Sequence, residues 1–396
     1  MTLFSSYVKT KFSQSTVDLT PSKKSARMIR FLHFIDKFLG LGFERIKSAT
    51  SLPDRQLALY RIFFGAVLLV YFSPTWSWLV DTPPAFFDPF LFSFANLTDN
   101  HLPNYLYRSA DVLAVVLLLM ITLGIRARMA FFGLFLLHAV FLSFYYSFGK
   151  IDHHTTLLVF TYLIFGFTNS GTKLAWIKDR KIATGTQNSA IAILALCICF
   201  GFFSAGLPKL TRWIDFDLNS SGFLFWYYPA YFLEKNQMFL APYVNQIPRF
   251  VLECMDYMAA IFEISGFIFL LKGKKTWLFF LTIACIFHLA NLLLLNIDFT
   301  MNLLAYGIYL IAPGLYFFVK KHKIVLLRTK LIFIVLFVAL ALLKILFQTS
   351  TISGVFFNYE SIDITIKNYV NLFIWIAAIY CGWFALKKSE AFKAST

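Results

Sequence analysis

The sequence predicts an all-α protein, a polytopic transmembrane helical bundle of about ten spans with both termini cytoplasmic. Three observations predict it. Hydrophobic residues make up 59% of the 396 residues and charged residues only 14%, with 49 Phe and a mean hydropathy of +0.69, more apolar surface than a soluble core can bury. Apolar runs of spanning length recur along the whole chain, separated by short polar connections. The Lys and Arg residues behind the formal net charge of +16 collect in alternate connections rather than on one face. That distribution sets topology, and it excludes the basic surface of a nucleic-acid-binding fold. Membrane lipids are the expected partners.

The five cysteines are an odd number, and Cys197, Cys199, Cys285 and Cys381 lie inside apolar runs, so no disulfide framework is expected. The first 25 residues are polar and lack an apolar core, so no cleaved signal peptide is expected either. Residues 1–50 read as a cytoplasmic N-terminal segment. Within it Met28, Phe31, Leu32, Ile35, Phe38 and Leu39 recur at helical spacing, while Arg27, Arg30 and Lys37 take other positions. A helix on the membrane surface and a helix packed on the bundle would satisfy that stripe equally.

Apolar runs follow at 57–80, 105–124, 128–147, 154–170, 189–209, 250–272, 277–296, 300–319, 324–347 and 368–386. Basic residues crowd the N-terminal segment, Arg126/Arg128, Lys173 to Lys181, Lys272 to Lys275, Lys320 to Lys330 and the tail after Lys387, which are assigned to the cytoplasm. The opposite connections include Asp81, Asp88 and Asp99 and the long stretch Thr211 to Arg249. That stretch carries Trp213, Phe223, Phe225, Trp226, Tyr227, Tyr228, Tyr231 and Phe232 and reads as an interfacial lid or a re-entrant segment.

Ionisable groups inside spans cost about 2.5 kcal/mol or more each, so each must be paired, hydrated or used. Lys209 closes the fifth run, where Gly206 and Pro208 are expected to break the helix. An amine at the edge of hydrocarbon either becomes a usable base by partial desolvation or snorkels to the headgroups. Asp256 and Glu263, seven residues apart, share a face of the sixth run, and His288 and Asn291, three apart, share a face of the seventh. With Lys209 and the loop Lys150 to His154 these residues are expected to line one outward cavity, with Glu263 as its floor. The alternative for each is an interhelical hydrogen bond. Arg108 and Asp111 read as an ion pair, and Arg61 and Lys344 as snorkelling or helix-capping cations. His153 and His154 are adjacent and no His-x-x-x-His spacing occurs, so no metal site is expected.

Five motifs in one order carry a family resemblance. They are Leu59-Tyr60-Arg61-Ile62-Phe63-Phe64-Gly65 after Ser51-Leu52-Pro53, Leu123-Gly124-Ile125-Arg126-Ala127-Arg128, Asp152-His153-His154-Thr155-Thr156-Leu157, Ala205-Gly206-Leu207-Pro208-Lys209-Leu210 and Phe287-His288-Leu289-Ala290-Asn291. Together they resemble the HTTM domain, the membrane half of vitamin K-dependent gamma-carboxylases and of many bacterial proteins. The third resembles that family's Asn-Asn-His-Ser-Tyr-Leu, the fourth its Ala-Gly-x-x-Lys-Leu and the fifth its Phe-His-x-x-Asn.

The resemblance implies an HTTM-like domain over 51–320, with two further spans and a short tail over 321–396. It implies an enzyme that uses a lipid quinol of the vitamin K type at an outward-facing site, in a bacterial inner membrane. Lys209 would be the base, His154 and His288 proton-handling or positioning groups, and Asn291, His153 and Glu263 would surround the cofactor. Two departures stand beside it. The carboxylase form Gly-Val-Lys-Lys-Leu is Gly-Leu-Pro-Lys-Leu here, and after Thr351 only one more span is expected, which leaves a peptide substrate no evident seat. The alternative is a non-enzymatic protein that binds a lipid or quinone, or serves as partner in a complex.

Overall fold

The computed structural model describes residues 23–98, 102–149, 155–215, 217, 220–321, 330–348 and 363–393. The chain forms two compact units, Met1–Arg45 and Ile46–Thr396. Most of helix α1 (Lys23–Thr50) belongs to the first, where Phe38, Leu39 and Leu41 are exposed.

The second unit holds α2 (Asp54–Val70), α3 (Asn104–Leu123), α4 (Ala127–Tyr146), α5 (Thr156–Gly166), α6 (Thr184–Arg212), α7 (Gly222–Tyr228), α8 (Arg249–Lys272), α9 (Lys274–Leu295), α10 (Thr300–Lys321), α11 (Lys330–Gln348) and α12 (Ile364–Lys393). Among the described residues the extended structure is limited to one isolated bridge, Ile125 to Ile177. Among the described residues seven helices, α3, α4, α6, α8, α9, α10 and α12, are long and apolar enough to cross a membrane. The chain is an integral, multi-pass membrane protein.

Each of the ten apolar runs contains a helix; α2, α5 and the described part of α11 are shorter than the other seven. Helix α5 has 11 residues, about 16 Å of rise against a hydrocarbon core of about 30 Å. It ends at Gly166 because Asn169 folds the following chain back: its Oδ1 accepts the Ile182 N–H at 2.9 Å while its own N–H bonds Gln187 Oε1 at 2.8 Å. The run expected over 57–80 stops at Val70. Beyond it Asp111 accepts the backbone N–H groups of Trp76 at 2.7 Å and Ser77 at 3.2 Å and starts the 3₁₀ turn Ser77–Asp81. Asp111 therefore caps a turn, where an ion pair with Arg108 was expected, and Arg108 Nε bonds Asn104 at 3.0 Å instead.

The basic connections after α3 and after α5 meet at one end of this unit. Arg126 N–H donates to the Ile177 carbonyl at 3.1 Å, Ile177 N–H to Gly124 at 3.2 Å, and Arg128 N–H to Asp179 Oδ2 at 2.9 Å. Arg61 reaches this junction from α2, fully buried, and caps the C-terminus of α3. It donates to the carbonyls of Thr122 at 3.1 Å, Ser170 at 3.1 Å, Leu174 at 2.6 Å and Ile121. At the opposite end Asp88 N–H bonds the Ser147 carbonyl at 2.7 Å. Helices α2 to α6 thus run up and down in turn.

Candidate functional site

The C-terminal part of α6 builds the site. A broken helix was expected at Pro208, yet α6 runs without interruption from Thr184 to Arg212. Proline removes a single donor bond, that to the Ser204 carbonyl, and four more residues complete the last turn. Gly206 has another use. A Cβ there would lie 2.7 Å from Glu263 Cβ and 3.2 Å from the Ile264 nitrogen, so glycine is what lets α6 cross α8 at this point.

One turn further along, Lys209 meets the carboxylate this crossing brings near. Its Nζ donates to Glu263 Oε1 at 2.5 Å, with side-chain exposures of 20% for Lys209 and 5% for Glu263. The amine also lies 5.1 Å from the Trp213 ring centre and 5.7 Å from that of Phe287. A cation placed over aromatic faces and against a carboxylate is well held even with little water around it.

His288 on α9 is buried beside this pair. Its ring centre is 5.6 Å from Phe202, 4.7 Å from Phe299, 5.2 Å from Trp375 and 6.2 Å from Tyr306. Neither imidazole nitrogen has a hydrogen-bond partner among the described residues, nor do Tyr306 Oη, Trp375 Nε1 or Glu263 Oε2. These groups form a cage of rings with several unused donors and acceptors. Asn291 is half-buried one turn beyond His288, and its carbonyl receives the Ile297 N–H at 3.4 Å. His153 and His154 lie outside the described residues, so only Lys209, Glu263, His288 and Asn291 of the expected set are placed.

Asp256 does not line the cavity expected of it. It is fully buried and accepts the Phe223 N–H at 2.8 Å and the Ser221 hydroxyl at 2.9 Å, which anchors the start of α7 to α8. The aromatic stretch is thereby a tethered lid. Its core is Phe223, Leu224, Tyr227, Ala241 and Val244 packed on Leu252 and Leu295. A second tether is Asn296, in the left-handed conformation at the end of α9. Its Oδ1 accepts the Met238 N–H at 2.8 Å, and its Nδ2 donates to the Met238 carbonyl at 3.2 Å. At the lid entrance Asp215 accepts the Asp217 N–H and the Ser220 hydroxyl, bonds that hold its carboxyl below the usual carboxylate range.

Sequence reasoning missed Tyr306, Trp375, Asn296 and Glu253. Tyrosine and tryptophan inside apolar runs look like ordinary core residues, and only their neighbours distinguish them. Glu253 was visible as a third carboxylate three residues before Asp256. The described residues contain no group of three or more His, Cys, Asp or Glu arranged to hold a metal ion.

The fold and these contacts define a multi-pass helical membrane protein with a buried ion pair under an aromatic lid. Comparison with protein-family models, curated proteins and solved structures finds no match to this chain.

Proposed function

We propose that this protein binds a lipid-soluble quinol, or an acid of similar shape, beside His288 and takes a proton from it with the Lys209–Glu263 pair, as an HTTM-type, carboxylase-like membrane enzyme. The observation that carries the reading is that pair in direct contact, next to a cage of rings with unused polar atoms. Within a close ammonium–carboxylate pair in low dielectric, the carboxylate can take the proton and leave a neutral amine. That amine is then a base within reach of the cage.

A reduced quinone of the vitamin K type fits these donors. His288, Tyr306 and Trp375 would hold its ring oxygens, and the flanking phenylalanines its flat faces. When bound it supplies an acidic ring hydroxyl. The Trp213 and Phe287 rings shield the amine in part, and Asn291 borders the cage. The basic bias of alternate connections supports a cytoplasmic basic end, cytoplasmic termini, about ten crossings and an outward lid, as in a bacterial inner membrane.

A second reading is a non-enzymatic lipid or quinone binder or a complex partner, and the ion pair itself favours it, because it joins α6 to α8 without any chemistry. Extraction in mild detergent followed by mass spectrometry separates bound from unbound states. A quinone should co-purify with the wild-type protein and fall about tenfold in His288→Ala, as the loss of about 1.4 kcal/mol of binding requires. Retention equal in the two would overturn the site. The enzyme and binder readings part at Lys209→Arg, which preserves charge but cannot act as base near neutral pH. The red-shifted absorbance of the quinol anion should be reached at lower pH on the wild-type protein than on Lys209→Arg. Identical titrations would leave the binder.

A further inference from the structure

The apolar stripe of α1 changes surroundings along its length. Ile46, near the C-terminal end, is 5% exposed, whereas Leu39, seven residues earlier on the same face and about 10 Å back along the axis, is 62% exposed and its neighbour Phe38 67%. Lys37 and Glu44, also seven apart, are exposed on the opposite face. In the sequence the stripe continues back through Ile35, Leu32, Phe31 and Met28. A contiguous apolar row of this kind marks a surface that another body covers.

Where the helix starts from and what charge it carries decide the body. Its last residues, Ile46 to Thr50, belong to the second unit, and residues 51–53 join them to α2. At that joint Gln187 Nε2 donates to the Leu52 carbonyl and to Asp54 Oδ1, each at 3.2 Å, and Lys181 Nζ lies 3.8 Å from Asp54 Oδ2. The joint therefore sits at the basic end of the bundle, among the connections of Arg126, Arg128 and Lys173 to Lys181 that link the membrane-spanning helices α3, α4 and α6. Such connections stand at the level of the lipid headgroups. The helix itself carries Lys23, Lys24, Arg27, Arg30, Lys37, Arg45 and Lys47 against Asp36 and Glu44. We propose that α1 is an interfacial helix, whose Phe38–Leu39 stripe sinks into the leaflet at the basic end while its cations bind acidic phospholipid headgroups. Apolar burial and attraction to anionic lipid act together in such a helix. The surplus of cations at headgroup level favours an acidic lipid surface over a protein as the covering body.

Spin-label depth measurements on the full chain test this. With the native cysteines replaced by alanine, nitroxides at Leu39→Cys and Lys37→Cys are compared in nanodiscs of phosphatidylcholine alone and of phosphatidylcholine with phosphatidylglycerol, using oxygen and a water-soluble nickel chelate as relaxants. In the phosphatidylglycerol discs the label at 39 should read about 5–10 Å below the phosphates and the label at 37 should stay in water. Without phosphatidylglycerol the label at 39 should move outward. Water exposure of both labels in both discs overturns the proposal and leaves the stripe to a protein. A depth at 39 that does not depend on phosphatidylglycerol overturns the role given to the cations. Should the cysteine-free chain not fold, hydrogen exchange on the native protein reads the same contact: the amides of 31–41 should exchange about tenfold slower in phosphatidylglycerol discs than in phosphatidylcholine alone. Equal rates there overturn it as well.

Discussion

Arg61 is held by four backbone carbonyls and has no exposed surface, so its charge is spent on structure. Hydrogen bonds to a charged group contribute about 1.5–3 kcal/mol each, and the carbonyls left behind would stay buried. Arg61→Met is therefore expected to lower stability by about 3 kcal/mol or more, and Arg61→Lys by somewhat less, because an ammonium cannot copy the planar fork. Thermal unfolding in detergent measures both. Gly206 offers a sharper contrast. A Cβ at Gly206 collides with Glu263 and Ile264, whereas one at Gly201 on the same helix meets nothing within 4 Å. Gly206→Ala should cost about 1–3 kcal/mol by overpacking. Gly201→Ala should be neutral or stabilise by about 0.5–1 kcal/mol through helix propensity. Equal melting temperatures for the two variants would contradict the close crossing of α6 and α8.

Between Trp213 and Arg249 the chain has little helix of its own, and the short α7 depends on its tethers. Asp256 supplies one through Ser221 and Phe223, and Asn296 the other through Met238. Asp256→Ala removes the acceptor for both lid donors while leaving the apolar stripe of α8 in place. Limited proteolysis should then cut within 229–240 at least about tenfold faster than in the wild-type protein, an increase equivalent to about 1.4 kcal/mol of easier local opening. Helix content by circular dichroism should not change. Asn296→Ala should act in the same direction. If both variants resist proteolysis as the wild type does, the lid is held by its aromatic packing alone. Lys344 performs a related service for α2, donating to the Leu69 carbonyl at 3.0 Å and covering an unpaired group at that helix's end.

Across the whole molecule, the alternation of helices divides the connections into two sets. Arg126, Arg128 and the 173–181 connection are joined at one end by backbone bonds, and Asp88 is tied to Ser147 at the other. Single-cysteine labelling in intact cells should find Asp88→Cys and Lys235→Cys reactive to a membrane-impermeant reagent, and Lys178→Cys and Lys274→Cys protected until the cells are opened. Labelling of Lys178→Cys from outside would reverse the orientation and place the lid in the cytoplasm.

The helical character and the membrane setting were legible from composition and from apolar runs, because hydrocarbon demands internally bonded backbone and those runs leave only helix. Lys209, Glu263, His288 and Asn291 also stood out, since polar groups are costly in apolar stretches and few in number. Their pairing did not. That Lys209 meets Glu263, that Asp256 holds the lid and that Asp111 caps a turn depend on which helices cross and how closely, and a glycine opposite a carboxylate signals nothing until the two helices are set together. Helix ends were hidden for a like reason. Hydropathy resumes past Val70 at Trp76 to Val80, but Asp111, 35 residues away along the chain, accepts the Trp76 N–H and starts a 3₁₀ turn there. Local sequence sets the energy of each span, whereas partners and stops are set by contacts between residues tens of positions apart.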